Sequence, residues 1–398
     1  MNENGVIIVG GGPVGLTLAW RLATDGVPVR LFEAASEIPN QLRASTFHPP
    51  TLDLFEDGGI TAELLAEGRV TPTWQIRMHE TGERVEFDLS VISAHTRHPY
   101  RLQCPQAVLC RVLMERIMTI DPVVLTFSAR VMAVTQTDNE VTVTVEDSDG
   151  ARTDHRAAWV VGCDGARSIV RAAMGVEFVG SVYPETTILV TTHFPFESIL
   201  EGLSGVNYIW KDDSTFSLLR LPDVWRCSFH PLHGESEEEA LSDGSIMSKL
   251  VAITTTRDTN ILQRRAYRVH RRIAGQYRIG RLVLAGDAAH LNSPKGGMGM
   301  NGGIHDAFNM ADKLAQIFRG AGDERLLDLY ERQRLPIARD DILAQADANR
   351  TRMNETDPAR RLASLKRLQD IASDLDRCKA HLLRSSMIDG LRRAAAIT

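Results

Sequence analysis

Apolar runs of strand length and apolar positions at helical spacing alternate at the start of the chain. Residues 6–9 are continuously apolar, which indicates a buried strand. A second strand is expected over residues 28–33. The segment between them predicts a helix whose apolar face is formed by Leu16, Ala19, Leu22 and Ala23. This strand, helix and strand predict a Rossmann-like α/β unit.

The middle of the chain favours strands. Apolar and polar residues alternate over 74–89, which indicates a hairpin. Residues 105–119 have the pattern of an amphipathic helix, and residues 123–161 return to a two-residue period. Residues 181–272 are mostly strand-like, with an acidic helical piece at about 235–253. We interpret this last region as a separate sheet that covers the substrate.

A third apolar run, residues 282–285, ends in Gly286 and Asp287 before a glycine-rich loop. We expect that loop to open a helix from about residue 300 to residue 318. From Leu326 onward the pattern is helical, with Pro336 as an expected kink or break and a last helical region packed on the outside. A nucleotide-binding domain in three segments is therefore predicted. The expected divisions are 1–73, 101–180 and 274–355 for that domain, 74–100 and 181–273 for the substrate sheet, and 356–398 for C-terminal helices.

Composition narrows the function classes. A net charge of −6 and a pI near 6.1 argue against nucleic acid or an anionic membrane as partner. No apolar run approaches the roughly 20 residues of a membrane span, and the apolar start lacks the basic leader of a signal peptide. Five scattered cysteines indicate reduced thiols, and their spacing indicates no metal site. We therefore expect a cytoplasmic protein.

Gly10, Gly12 and Gly15 hold the GxGxxG spacing between the first strand and the first helix. The first glycine allows the tight turn, the second lets the backbone approach a pyrophosphate, and the third lets helix pack on strand. Glu33 ends the second strand, where a carboxylate can accept hydrogen bonds from ribose hydroxyls. A purely structural glycine turn is the alternative. The context favours dinucleotide binding, without separating FAD from NAD.

Asp287 is the strongest single candidate residue in the second half of the chain. A carboxylate at the end of a buried strand needs hydroxyl partners. The helix after it begins next to the same site, and helix amino termini favour an electron-rich group.

Three motifs in this order, near positions 10, 163 and 286, resemble the single-component (class A) FAD-dependent aromatic hydroxylases, the family of para-hydroxybenzoate hydroxylase. The resemblance covers residues 5 to about 340, although residues 181–272 match only in strand character. It implies a glutathione-reductase-like FAD-binding domain, an inserted mixed or antiparallel β-sheet substrate domain and a helical C-terminus. It also implies FAD as cofactor, NADH or NADPH as co-substrate, and hydroxylation of a small phenol or hydroxypyridine by O2 through a flavin C4a-hydroperoxide.

The same resemblance implies the residues that hold the cofactor. The glycine turn would hold the pyrophosphate, Glu33 the adenosine ribose and Asp287 the ribityl hydroxyls. Gln106 resembles the glutamine that contacts the flavin chain, and Asp164 matches the shared flavin and nicotinamide fingerprint, although a turn residue fits that position equally well. The full expected set is Gly10, Gly12, Pro13, Val14, Gly15, Glu33, Ala34, Arg43, Gln106, Asp164, Asp287, Pro294, Gly297, Gly299, Met300 and Asn301.

Substrate residues are less clearly marked. His48, Tyr208 and Arg220 are the candidates for catalysis, and the same three with Trp210 and Pro294 are the candidates for substrate binding. A capping role for His48, and ordinary core or rim roles for the sheet residues, remain alternatives. For His290 we favour a hydrogen-bonded structural role over a proton relay.

Other functions share these motifs. A flavin-dependent reductase, epoxidase or halogenase, or a flavin-binding sensor without turnover, is the alternative to a hydroxylase. The expected partners are a small aromatic substrate, O2 and NAD(P)H, and the expected state is a monomer or homodimer.

Overall fold

The computed structural model describes residues 5–39, 43–121, 123–212 and 214–398. Its strands, in chain order, are β1 Val6–Val9, β2 Val29–Phe32, β3 Thr46–Phe47, β4 Arg69–Thr71, β5 Thr73–Met78, β6 Arg84–Asp88, β7 Arg101–Gln103, β8 Val123–Thr126, β9 Arg130–Gln136, β10 Val141–Glu146, β11 Arg152–Ala157, β12 Trp159–Gly162, β13 Phe178–Thr192, β14 Val206–Lys211, β15 Ser214–Arg220, β16 Trp225–Phe229, β17 Gln263–Ala274, β18 Arg278–Ile279, β19 Leu282–Leu284 and β20 His290–Leu291. Its α-helices are α1 Pro13–Thr24, α2 Pro49–Glu56, α3 Ile60–Glu67, α4 Gln106–Ile117, α5 Ile169–Met174, α6 Glu237–Ala240, α7 Asp243–Thr254, α8 Met298–Phe318, α9 Arg325–Ile337, α10 Ala344–Met353, α11 Pro358–Ala372, α12 Leu375–Ser385 and α13 Ile388–Ala395.

Strands from all three segments predicted to form the nucleotide domain pair in one mostly parallel sheet. Its order is β18-β19-β12-β1-β2-β8, with only β18 antiparallel to its neighbour. All four residues of β1 are buried, as expected for a strand covered on both faces. The chain leaves β1 towards β2 and later returns to β12 on its other side. Such a reversal opens a crevice at the carboxyl ends of the strands, and the predicted α/β class is confirmed.

Helix α8 begins two residues before the predicted start. Gly297, at its N-cap, has φ 71°, a left-handed conformation that favours glycine and lets the chain turn directly into the helix. The helix then packs along α1 beside the parallel sheet. Its amino terminus therefore lies at the same crevice as the glycine turn.

A second, mixed sheet has the order β20-β17-β13-β16-β15-β14-β5-β6. The predicted hairpin, β5 and β6, joins it by parallel pairing of β5 with β14. Helix α7 buries Ile246 and Leu250 in a core with this sheet. Membership of one sheet supports the proposed assignment of the hairpin and of residues 181–273 to one unit.

The helical C-terminus differs from part of the expectation in two places. Of the kink or break expected at Pro336, the break is absent, because the helix continues as a π-helix over Ala338–Leu343. Proline lacks a backbone donor, so a wider hydrogen-bonding turn close to it is a local response. The last helices are also not merely external, because Leu365 and Leu382 share a buried core with Trp74 and Phe87 of the hairpin. Helices α11 and α12 therefore help to build the second sheet's side of the molecule.

Within the described ranges, the longest and most apolar helices still fall short of what crossing a membrane requires.

Candidate flavin site and active site

The glycine turn leaves open space where a dinucleotide would lie. A Cβ on Gly15 would come within 2.0 Å of the Gly10 oxygen, and a Cβ on Gly10 would come within 2.5 Å of the Cys163 oxygen, so the first and third glycines are needed for close packing of the turn. A Cβ on Gly12 would meet no atom within 4 Å. The middle glycine thus faces open space at the amino terminus of α1, as the pyrophosphate of FAD would require.

Glu33 and Val14 tie this turn to the rest of the crevice. One Glu33 oxygen accepts a 2.6 Å hydrogen bond from the Gly11 backbone, and the other accepts one of 2.8 Å from Ala35. Val14 lies where a Cβ on Gly286 would touch it at 2.9 Å. The amino-terminal motif and the Gly286-Asp287 motif are therefore in direct contact.

Asp287 lies at the carboxyl end of β19, where the sequence predicted it. Its side chain is exposed to solvent even though protein encloses its position, as expected for a carboxylate on the floor of a cleft. Burial raises the pKa of Asp287, while the positive fields of His290 and Arg43 oppose that shift. An accessible carboxylate in this position fits hydroxyl donors such as those of a ribityl chain.

Asp306 of α8 holds the loop that carries Asp287 through hydrogen bonds. One Asp306 oxygen accepts a 3.1 Å hydrogen bond from the Gly286 backbone and lies 2.8 Å from His290 Nε2. The other accepts a 2.6 Å bond from Arg334 Nε. His290 is therefore hydrogen-bonded within the core, which agrees with the structural role favoured from the sequence.

Asn301 holds the glycine-rich loop through its side chain. Its amide nitrogen donates to the oxygens of Thr46 and Gly297 at 2.8 and 2.7 Å, and its amide oxygen accepts from the His48 backbone at 2.9 Å. The side chain is completely buried. Any contact of Asn301 with FAD is thus left to its backbone at the amino terminus of α8.

We expected His48 to act in catalysis or substrate binding, but the structure places its ring behind the glycine-rich loop, outside the cavity lining. The ring is fully buried behind the loop, and Nε2 donates a 2.8 Å hydrogen bond to the Gly296 oxygen. Burial, with the nearby charge of Arg101, lowers the pKa of His48 to about 3. Since the loop stands between this ring and the cavity next to Tyr208, His48 supports Gly296 from behind.

Three further predicted cofactor residues surround the crevice. Gln106 begins α4, and its backbone nitrogen donates a 3.0 Å bond to the Ala44 oxygen, next to Arg43. Asp164 instead accepts a 2.7 Å bond from the Ile169 backbone, and burial raises its pKa. The turn interpretation of Asp164 therefore has a direct structural basis, because the carboxylate satisfies a donor at the start of α5.

A cavity of about 200 Å³ lies between the second sheet, the glycine-rich loop and the C-terminal helices. Tyr208 and Gly296 meet at its wall, where the Tyr208 oxygen accepts a 3.1 Å hydrogen bond from the Gly296 backbone. The remaining wall is formed by Trp74, Ile76, Arg101, Met298, Ala344, Gln345, Ala348, Asn349, Arg352, Met353, His381, Arg384 and Ser385.

Of the predicted substrate residues, only Tyr208 lies in that wall. Trp210 is fully buried, two residues further along β14, and donates a 3.2 Å bond to the Arg352 oxygen. Arg220 is at the far end of β15, with its guanidinium 5.5 Å from the centre of the Trp225 ring. Pro294 is exposed, and its neighbour Gly296 faces the cavity in its place. Strand character was therefore sufficient to find the sheet but not the part of it that lines the cavity.

Sequence reasoning missed Arg101, Arg352 and His381. Arg101 lies on a three-residue strand, too short to show a period. His381 follows the buried Cys378 at helical spacing, so its place on the apolar side of α12 was an available indication. Residues 356–398 were expected as helices on the outside of the molecule and Arg352 as part of the nucleotide domain, so neither His381 nor Arg352 was predicted to line the cavity.

A dinucleotide turn, an accessible carboxylate and a sheet-covered cavity are the features expected of a dinucleotide-dependent oxidoreductase. The family model described as FAD binding domain matches residues 3–344. Para-nitrophenol 4-monooxygenase of Pseudomonas sp. strain WBC-3 is 31% identical over 98% of this chain and 97% of that protein. The 6-hydroxy-3-succinoylpyridine 3-monooxygenase of Pseudomonas putida is 31% identical over 83% of this chain and 84% of that protein. The crystal structure of p-nitrophenol 4-monooxygenase from Pseudomonas putida DLL-E4 matches with a TM-score of 0.90 and 29% identity, covering 98% of both chains.

The chain belongs to the single-component FAD-dependent aromatic hydroxylases. It is an FAD-dependent monooxygenase of the class that the three motifs resembled, and the predicted family, fold and enzyme class are confirmed.

Proposed function

We propose that this monooxygenase hydroxylates a small phenol or hydroxypyridine in the cavity beside Gly296, with NADH or NADPH as electron donor and O2 as oxygen source. The observation that carries the proposal is the contact between Tyr208 and Gly296, because it joins the cavity wall to the loop predicted to lie against the flavin ring. A substrate in this cavity would have aromatic side chains beside it and a flavin within reach.

The names of two relatives support this substrate class. One acts on para-nitrophenol and the other on 6-hydroxy-3-succinoylpyridine, and both names describe a six-membered aromatic ring with an oxygen substituent. The cavity volume of about 200 Å³ also suits a single substituted ring rather than a polycyclic compound.

We further propose that FAD is held by the residues expected from the sequence. The backbone of Gly10, Gly12, Pro13, Val14 and Gly15 would contact the pyrophosphate, with Glu33 and Ala34 at the adenosine ribose. Arg43, Gln106 and Asp287 would contact the chain between the two ring systems. Pro294, Gly297, Gly299, Met300 and Asn301 would border the flavin ring. The open space at Gly12 and the accessible Asp287 carboxylate support this arrangement.

When bound, FAD supplies the electron transfer and oxygen activation that amino-acid side chains cannot. The protein's own residues position the flavin and the substrate and polarise the reacting groups. The first amides of α8 offer donors to the electron-rich edge of the flavin ring. Trp74, Met298 and Met353 keep water from the cavity, while Tyr208 and Arg101 present hydrogen-bond donors to a ring oxygen. We also propose that the protein is cytoplasmic and is a monomer or homodimer.

The test is NAD(P)H oxidation by the FAD-loaded protein, with and without each of a panel of phenols and hydroxypyridines. We expect oxidation to accelerate with at least one of them, and one atom of labelled O2 to enter the product. Oxidation that no phenol or hydroxypyridine accelerates would favour a reductase, epoxidase or halogenase. A product without the label would exclude hydroxylation, and the absence of any NAD(P)H oxidation would favour a sensor. Comparing NADH with NADPH in the same assay identifies the donor.

A further inference from the structure

The cavity beside the glycine-rich loop meets solvent between two C-terminal helices. Trp74 and Ile76 of β5, and Met298 at the start of α8, line the cavity and are buried. Two lining residues are exposed, Ala348 of α10 and Arg384 of α12. A residue that faces both the cavity and the solvent marks a place where the two meet, so the opening lies between α10 and α12.

These two helices are held together at both ends of the opening. At one end, Met353 of α10 and Leu382 of α12 belong to a single buried apolar core. At the other end, the Gln345 side-chain Nε2 donates a 3.0 Å hydrogen bond to the Arg384 backbone oxygen. Within the described ranges, no second hydrogen bond connects α10 to α12. The opening is therefore a window with apolar packing on one side and a single hydrogen bond on the other.

Ala348 lies in the frame of this window. It follows Gln345 by three residues and precedes Met353 by five, and Ala344 lies one helical turn before it on the same face of α10. Both alanines line the cavity. A methyl group at each position leaves a gap between the helices that a longer side chain would fill. The width of the window therefore depends on the residue at position 348.

We propose that the aromatic substrate enters the cavity through this window, and that Ala348 is a specificity-determining residue because it limits the size of the molecule that passes. The inference rests on the proposed function, which places the ring in the cavity, and goes beyond it in assigning the path to that place. A compound with one substituted ring passes between the helices, whereas a fused ring system is excluded before it reaches Tyr208.

The hydrogen bond of Gln345 gives the window a second property. A flavin-dependent hydroxylation needs a site from which water is excluded, so the entrance has to be narrow once the ring is inside. Gln345 holds α10 to the last turn of α12 and thereby keeps the window at one width. Loss of this bond should widen the window. The structure thus offers two substitutions with opposite expected effects on the same path.

Stopped-flow binding to the FAD-loaded protein, followed by flavin fluorescence without NAD(P)H, measures passage through the window apart from turnover. The probes are 4-chlorophenol and 3-hydroxypyridine, which are a phenol and a hydroxypyridine with one ring each. A barrier on the path lowers the association and dissociation rate constants by the same factor, because it leaves the free and bound states unchanged. A residue that contacts the bound ring changes the dissociation constant instead, mostly through the dissociation rate constant.

Ala348→Trp should lower both rate constants by about tenfold or more while the dissociation constant stays within about threefold. Ala363→Trp is the matched control and should bind like the native protein, because Ala363 is an exposed alanine of α11 outside the cavity wall. If Ala348→Trp fails to fold, Ala348→Cys repeats the test in a single protein. Blocking its thiol with benzyl methanethiosulfonate should slow binding, and dithiothreitol should restore it. The native protein, treated in the same way, shows the effect of the other cysteines.

Gln345→Ala should raise both rate constants by about threefold or more, again with little change in the dissociation constant. Gln369→Ala is its matched control, because the Gln369 amide donates a 3.1 Å hydrogen bond to the Arg84 backbone oxygen away from the window. Unchanged rate constants in Gln345→Ala would overturn the role of the hydrogen bond.

Unchanged rate constants in Ala348→Trp, or in the blocked Ala348→Cys protein, would overturn the proposal, because the substrate would then enter elsewhere. A weaker dissociation constant with faster dissociation would also overturn it, since Ala348 would then be a contact of the bound ring. If neither probe nor any other phenol or hydroxypyridine of the panel binds, the proposed function fails together with this inference. If binding and hydroxylation occur at rates that Ala348→Trp does not change, only this inference fails.

Discussion

Asp306 and Arg334, both fully buried, form an ion pair in which Nε and Oδ1 are 2.6 Å apart. The other Asp306 oxygen binds His290 and the Gly286 backbone. One carboxylate therefore joins α8, α9 and the loop that presents Asp287. The ion pair stands at the base of the candidate flavin site without facing the cleft, which makes it a positioning element.

Replacing Asp306 by asparagine should destabilise the fold strongly. Removing one partner of a buried ion pair leaves an uncompensated charge, at a cost of about 3–5 kcal/mol. Thermal or urea denaturation of the FAD-free protein should show this loss. Asp312→Asn, on the exposed side of the same helix, is the control and should change the free energy of unfolding by less than about 0.5 kcal/mol. A stable Asp306→Asn protein would show that the pair does not anchor the loop.

The same pair predicts a pH dependence. Burial alone would raise the pKa of Asp306, but Arg334 and His290 lower it to about 2 from 3.8. A carboxyl whose pKa is depressed by folding stabilises the folded state above its unfolded pKa and loses that contribution as pH falls towards the folded value. The difference in stability between native protein and Asp306→Asn should therefore stay constant from about pH 5 to pH 8 and shrink from about pH 4 towards pH 2. Shrinkage already between pH 6 and pH 8 would contradict the assignment.

Asp287→Ala should lose FAD while the protein stays folded. The carboxylate is exposed in its cleft, so its removal leaves no buried cavity, but it removes the expected acceptor for ribityl hydroxyls. We expect the dissociation constant for FAD to rise by about tenfold or more, the value of a charged hydrogen bond. Gel filtration with absorbance at the flavin band, and circular dichroism for the fold, measure the two outcomes. A variant that retains full yellow colour would refute the role of Asp287.

The sequence predicted the flavin framework well because each of its parts has a local cause. The continuous apolar run at residues 6–9 was enough to predict the buried strand that the structure has there. Glycine is required at position 15 because a Cβ there would clash with Gly10. Asp287 was recognisable because a carboxylate at the end of a buried strand is costly unless donors bind it. These features depend on neighbours within a few residues, which a single sequence displays.

The substrate cavity could not be predicted in the same way because its walls come from distant segments. Arg101 and His381 are 280 positions apart and meet only after the sheet and the C-terminal helices have packed. Trp210 resembles a pocket aromatic by type, yet the end of α10 covers it. Which residues of a strand face a cavity depends on what is packed above each of them, and periodicity alone carries no such information.

Tyr208→Phe should weaken catalysis more than FAD binding. The substitution keeps the ring but removes the oxygen that accepts the Gly296 hydrogen bond at the cavity wall. One such hydrogen bond contributes about 1 kcal/mol, so kcat/KM for the best substrate should fall about fivefold or more. Tyr100→Phe is the matched control, because that hydroxyl bonds His98 outside the cavity wall. Equal rates for native protein and Tyr208→Phe would place the substrate elsewhere.

His48→Ala distinguishes support of the loop from proton transfer. His48 Nε2 holds the Gly296 oxygen at 2.8 Å, and the ring, with a pKa of about 3, is neutral throughout the range in which the enzyme would work. Its removal should loosen the loop and lower the fraction of NAD(P)H oxidation that yields hydroxylated product, with more peroxide released. The shape of the pH–rate profile between about pH 5 and pH 8 should stay the same, because no titrating group is lost. His48→Gln, whose amide can donate to the same oxygen, should restore part of the coupling. An amide cannot act as a base, so no such rescue is expected if His48 transfers protons. Loss of one limb of the pH profile in His48→Ala, without rescue by His48→Gln, would make His48 a proton-transfer residue.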